Sequence, residues 1–240
     1  MTTRGKRSRA VVIVLVAMAA ALVVDLVLTK PSTPRATPPL VSTAPGVTTT
    51  TMVQPPSLGA TPPNLSAPPV ALPVLVEIPS IHVVSRLLSV GMTAAHAMSA
   101  PEGGANSPYW AETFWYRGGS LPGAVGTATI AGHIDDVYGR YAVFGHLAQL
   151  VPGDLIMIHF SATGLTERFT VTTTHAYTLA QSATRPVLDL IYGTGPPAGR
   201  APAPSKDGLA HLTLISCTGS WNYSLHTHDE RLVVSAVRIS

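Results

Sequence analysis

The chain has 240 residues, with 15 basic and 12 acidic side chains, 22 prolines and a single cysteine. Its net charge of +3 and pI near 9.2 arise at the N-terminal end, because from position 74 onward nine basic residues face eleven acidic ones; this excludes a nucleic-acid footprint on the folded part. One thiol also excludes an internal disulfide.

Residues 1–9 form a basic tail carrying Arg4, Lys6, Arg7 and Arg9. Residues 10–24 are uninterrupted apolar, and the run continues past Asp25 to Leu28. At about 1.5 Å per residue, residues 10–28 approach the roughly 30 Å hydrocarbon core of a bilayer. The preceding cations keep the N-terminus cytoplasmic and send the remainder outward. Ala19, Ala20 and Ala21 offer a rival reading as a cleaved signal peptide, but the apolar run extends well beyond them, which favours an uncleaved single-pass anchor. Residues 29–73 are dominated by Pro, Thr, Ser and Ala, have no aromatic side chain, and carry Arg35 as their only charge after Lys30. Such a segment buries too little surface to offset its ordering entropy and reads as a disordered, polyproline-like stalk.

Residues 74–240 are enough for one domain with a sizeable core. Runs rich in β-branched residues predict strands at 74–78, 124–131, 154–160, 167–177, 209–217 and 231–239. Val143, Phe144, Leu147 and Leu150 follow helical spacing over 140–150, stopped by Pro152-Gly153. Neither a repeat nor a second apolar span is present. The domain is all-β, a barrel or a sandwich.

Cys217 closes the run Leu212-Thr213-Leu214-Ile215-Ser216-Cys217. An unpaired thiol in an exported chain suggests intermolecular pairing or reactivity. A thiol with an ordinary pKa near 8.5 is mostly protonated at neutral pH and needs a base or a cation beside it. His133 follows the strand 124–131, after Gly132, whose backbone is free to turn sharply and project the imidazole from the rim. Arg231 opens the last strand and offers a permanent cation with a planar fork of donors, suited to an oxyanion. Each has an ordinary explanation too: a small buried side chain, a structural histidine, a surface charge. Spacing leaves both readings open, since catalytic sets are defined by geometry.

Six segments together resemble the sortases, most closely the actinobacterial class E and class F members. Val76-Glu77-Ile78-Pro79-Ser80-Ile81-His82-Val83 is similar to the family's opening strand. Trp115-Tyr116-Arg117-Gly118-Gly119 with Pro122-Gly123 is similar to its approach to the histidine, and 127–135 to the histidine motif. Phe144-Gly145-His146-Leu147 with Pro152-Gly153-Asp154 resembles the helix-to-strand element. Thr213–Cys217 resembles the TLxTC signature, and Arg231-Leu232-Val233-Val234 the arginine strand.

The resemblance implies a closed eight-stranded sortase-type β-barrel with short helices, behind one transmembrane helix and a disordered linker. It implies a cysteine transpeptidase in which Cys217 is the nucleophile, His133 the acid and base, and Arg231 the oxyanion stabiliser. Its substrates would be secreted proteins with C-terminal LPxTG-like sorting signals, cleaved between Thr and Gly. The acyl group would pass to an amine of a peptidoglycan precursor or of another protein such as a pilin lysine. Thr213, Ser216 and Arg185 are implied substrate contacts, Arg185 through the long stretch 178–207 that should border the signal groove. Trp221, close to Cys217 in sequence, joins them. No cofactor and no metal is expected. Two further readings stay open: an exported cysteine peptidase that mainly hydrolyses, and an inactive barrel serving surface assembly.

Some positions depart from the pattern. Ser216 stands where Thr is usual, and His82 where Gly is frequent. His226-Thr227-His228-Asp229 suggests a metal site with the thiol, but a solvated connection without a fourth ligand fits better. Asp135-Asp136 lacks the six to eight oxygens that calcium usually takes. His96, His146, His159, His175 and His211 have no partner identifiable from sequence, and Trp110 and Trp115 suit packing.

Overall fold

The computed structural model describes residues 63–94, 97–194 and 203–239. The basic tail, the apolar run, most of the Pro/Thr-rich stretch and His96 lie outside them. Among the described residues no helix is long and apolar enough to cross a membrane.

Eight strands close into a barrel: β1 (Val70–Ile78), β2 (Val83–Val90), β3 (Thr113–Tyr116), β4 (Gly126–Ala131), β5 (Leu155–Phe160), β6 (Leu165–Thr178), β7 (Ala210–Asn222) and β8 (Thr227–Ile239). Their order is β1-β2-β3-β4-β7-β8-β6-β5, with β5 returning to β1. The pairs β2–β3 and β4–β7 are parallel, and the others antiparallel. Alternation sends Val76 and Ile78, Ile156 and Ile158, and Leu212 and Leu214 into the interior, where they are fully buried beside Phe169.

β1 starts ahead of the expected boundary at position 74. Before it, the carbonyls of Asn64 and Pro68 accept from the Arg117 guanidinium, which also reaches Ser89 O on β2. β2 and β3 were not expected, because Arg86 and two serines interrupt the apolar character of the first and the second has only four residues.

The helix expected over 140–150 does not form. The N–H groups of Ala142, Val143 and Phe144 donate to Ile134 O, Trp110 O and His133 O instead of to carbonyls four residues back. Only a 3-10 turn at Leu147–Gln149 remains. Phe144, Leu147 and Leu150 are nonetheless core residues; the apolar spacing is real, but a strap across the barrel satisfies it.

The stretch 178–207 contains α1 (Leu179–Ser182) and α2 (Arg185–Tyr192). α2 buries Val187 and Ile191 on the outer face of the barrel against Ile215 and Val233. Two threonine hydroxyls pin its C-terminal carbonyls: Thr129 donates to Ile191 O at 2.6 Å and Thr213 to Leu190 O at 3.1 Å. At its end the Tyr192 hydroxyl, beside the Tyr116 ring, is pushed up to about 12 by burial first and Tyr116 second, so this contact stays uncharged at neutral pH.

His82 follows a 3-10 turn at Pro79–Ile81 with φ of 55°. That left-handed conformation explains the glycine frequent at this position in the resembling pattern. A non-glycine residue there is strained by about 1–2 kcal/mol, partly offset by the larger unfolded-state freedom of glycine. His82→Gly should therefore stabilise the fold by about 0.5–1 kcal/mol, read as a higher denaturant midpoint.

Candidate active site

The outer face of β4, β7, β8 and β6 is one continuous surface, and the strand register sets what stands on it. In the parallel β4–β7 pair Thr129 lies opposite Thr213 and Ala131 opposite Ile215. Two residues further on, the same side carries His133 and Cys217. Beyond the end of β4 the chains stay together, because Gly132 N donates to Ile215 O at 3.1 Å and Ser216 Oγ to Gly132 O at 2.9 Å. In the antiparallel β7–β8 pair Cys217 lies directly opposite Arg231, and Arg231 is opposite Tyr177 on β6. Cys217 thus lies across from Arg231 on β8, and its neighbours Ile215 and Ser216 are hydrogen-bonded to Gly132, the residue before His133. Cys217, His133 and Arg231 are all half-buried.

His133 is held on several sides. Its Nε2 lies 2.9 Å from Pro101 O, and the Trp110 and Phe114 rings meet it edge-on at 4.8 and 5.5 Å between centroids. A carbonyl only accepts, so Nε2 carries hydrogen and Nδ1 is the nitrogen left for proton transfer. Pro101, Trp110 and Phe114 were not read as site residues. The only sequence signal was aromatic density just ahead of Trp115.

Gly132 turns out to be needed for close packing, with no positive φ required of it. A Cβ there would lie 2.5 Å from Phe144 Cδ2 and 2.8 Å from Val143 Cγ1. Gly132→Ala is expected to cost about 1–3 kcal/mol of stability by overpacking and to lower turnover about tenfold by displacing His133. Thermal unfolding and steady-state rates check both.

Arg231 is cradled by its own strand. Nη1 donates to Glu230 O at 2.8 Å and His228 O at 3.0 Å, and Nη2 to Thr227 Oγ1 at 3.0 Å. This corrects the solvated connection expected for 226–229. β7 and β8 run on as a hairpin, with the turn at 223–226 and His226 at φ 50°. His228 lies within β8, with its Nε2 3.1 Å from Asp135 Oδ2.

The implied substrate contacts fall differently. The Ser216 and Thr213 hydroxyls are buried and donate to Gly132 O and Leu190 O, so both are committed within the fold. Arg185 opens α2, with its Nε on Asp189 at 2.6 Å. Trp221 is half-exposed on the β7 extension, edge-on to His228.

The two neighbouring acids diverge. Asp135 faces His228, whereas Asp136 accepts from Tyr138 N, Arg140 N and Arg140 Nε. Among the described residues no cluster of three or more His, Cys, Asp or Glu side chains forms. His159 pairs with Glu77 at 2.8 Å. His211 pairs with Asp207, holding that carboxyl down at about 2.

A family model described as the sortase domain matches residues 76–239. Among solved structures, the chain is similar to a lid mutant of sortase A from Corynebacterium diphtheriae, at 21% identity and TM-score 0.47, covering 73% of each chain. It is similar to sortase C-1 from Actinomyces oris, at 22% identity and TM-score 0.45, covering 70% of this chain and 73% of that one. A sortase D5 transpeptidase of Clostridium perfringens shares 17% identity at TM-score 0.45, over 70% and 78% of the two chains. No curated protein sequence matches. Because the family match spans most of a chain whose eight strands close into a barrel, this chain belongs to the sortases, a family of cysteine transpeptidases.

Proposed function

We propose that the chain is a membrane-anchored class E- or F-like sortase that cleaves an LPxTG-like signal between Thr and Gly and transfers the acyl group to an amine at the cell surface. The observation that supports this reading is the register that pairs Cys217 with Arg231, together with the hydrogen bonds that tie Ile215 and Ser216 to Gly132, the residue before His133. The Cys217 thiolate attacks the threonine carbonyl carbon and forms the C–S bond. The Arg231 guanidinium bonds the developing oxyanion. As the intermediate collapses, the C–N bond breaks, and His133 gives its Nδ1 proton to the departing glycine amine. An acceptor amine then attacks the thioester, loses its proton to His133, and returns sulfur as thiolate. Water in place of the amine gives the acid. The apolar residues 10–28 and their basic flank supply the anchor, with the barrel outside the cell.

Purified full-length protein incubated with a library of LPxTG-type and LAxTG-type peptides, with and without hydroxylamine, tests the chemistry. The expected products are a covalent adduct on Cys217 and a hydroxamate, both read by mass spectrometry. Acid as sole product despite the amine favours a hydrolase. No adduct on any peptide favours an assembly module. Retention in the membrane pellet after alkaline extraction tests the anchor.

A further inference from the structure

One residue, His228, touches the segments that carry all three of these residues, two through its ring and one through its carbonyl. His228 Nδ1 lies 3.1 Å from Gly219 O, two residues after Cys217. Its Nε2 lies 3.1 Å from Asp135 Oδ2, two residues after His133. Its own carbonyl accepts from Arg231 Nη1 at 3.0 Å, three residues further along β8. The side chain is only 12% exposed, under the edge of Trp221. Gly219 O and the Asp135 carboxylate only accept, so the protonated ring satisfies both, and either neutral tautomer loses one contact.

A β-bulge makes this possible. Thr218 pairs with Glu230 and Trp221 with His228, so Gly219 and Ser220 together face Asp229. Gly219 sits at φ 80°, where a Cβ would lie 2.2 Å from Asp229 Oδ1, and Ser220 N donates to that oxygen at 2.8 Å. The extra residue twists the hairpin and turns the Gly219 carbonyl toward the ring.

We propose that Asp135 and His228 are a positioning pair that fixes the Arg231 fork and the His133 segment relative to Cys217. The proposal rests on the roles given above to those three residues. The pair touches neither the reacting bond nor the thiol. It acts by holding the β8 carbonyl on which the guanidinium hangs, and by tying that strand to the turn after His133. Without it the hairpin is fastened to the His133 segment by neither group, and the guanidinium follows residue 228 away from the sulfur.

Alkylation of Cys217 by iodoacetamide at pH 7, read by intact mass on the folded full-length protein, needs no substrate, and the chain holds no other thiol. Arg231→Ala, which removes a cation, and His133→Ala, which removes a base, serve as references, each expected to slow alkylation about tenfold. His228→Ala and Asp135→Ala are expected to slow it by about three- to tenfold, with neither adding to Arg231→Ala in the double variant. The near-isosteric Asp135→Asn, which keeps an acceptor, should give an intermediate rate; it decides the matter where an alanine variant fails to fold. A pair that merely stapled the hairpin would shift the unfolding midpoint but leave alkylation of the folded protein at the wild-type rate. Wild-type alkylation in the pair variants, with the references slowed, overturns the proposal. References that alkylate at the wild-type rate overturn the roles of His133 and Arg231 instead.

Discussion

In a Cys217→Ala variant, the acyl transfer from an LPxTG-type peptide proposed above is expected to fall by at least about 10⁴-fold, to the background rate. No second thiol exists to take over. The nearest hydroxyl in sequence, Ser216 Oγ, is buried and donates to Gly132 O, so it cannot reach a substrate carbonyl without breaking the tie between β7 and the His133 segment. Cys217→Ser should be almost as inactive, because a hydroxyl with its high pKa is not ionised by a neighbouring imidazole and guanidinium. Both variants should fold. The side chain is half-buried on the outer face, away from the packed interior, and the Cα pairing with Arg231 does not depend on sulfur. Unfolding midpoints close to wild type, together with loss of hydroxamate and of the covalent adduct, are the expected result. A serine variant retaining more than a few per cent of the rate would contradict thiolate chemistry.

The barrel is legible in the sequence, and Cys217, His133 and Arg231 stand out there as candidates, for different reasons. β4, β7 and β8 carry long runs of β-branched and aliphatic residues, so period-two alternation finds them directly. The same alternation places Thr213, Ile215 and Cys217 on one side of β7, but only the cross-strand register shows that Arg231 is paired with Cys217 and that β4 runs parallel beside β7. Register belongs to the folded sheet, and no single strand contains it.

The illegible parts share a physical cause: long-range contacts override a local preference. Residues 140–150 have helical spacing, yet their N–H groups find better partners on the His133 segment and at Trp110. α2 is amphipathic, but Pro186 near its start and its brevity hide it within a stretch rich in turn residues. His228 and Asp135 lie far apart in sequence and each reads as a polar residue in a connection. A bulge at Gly219 and Ser220, with no composition signature beyond one glycine, brings them together.

Removing the imidazole itself tests the proton path. His133→Gln is expected to lower transfer by about 10³-fold. The substitution separates position from proton transfer, because the glutamine amide can still donate to Pro101 O, while it offers no basic nitrogen where Nδ1 stood. The defect should fall on acylation. The departing glycine amine cannot leave as an amide anion and needs a proton at the moment the C–N bond breaks, whereas hydroxylamine is nucleophilic without a base. In His133→Gln the thioacyl-enzyme should therefore stay below detection while peptide remains uncleaved, whatever the hydroxylamine concentration. Rapid-quench mass spectrometry distinguishes the cases. Were the adduct instead to accumulate on Cys217, formation would be intact and resolution impaired, and the donor of the leaving-group proton would have to be sought elsewhere. A guanidinium is not a proton donor in proteins, which leaves water or the substrate itself.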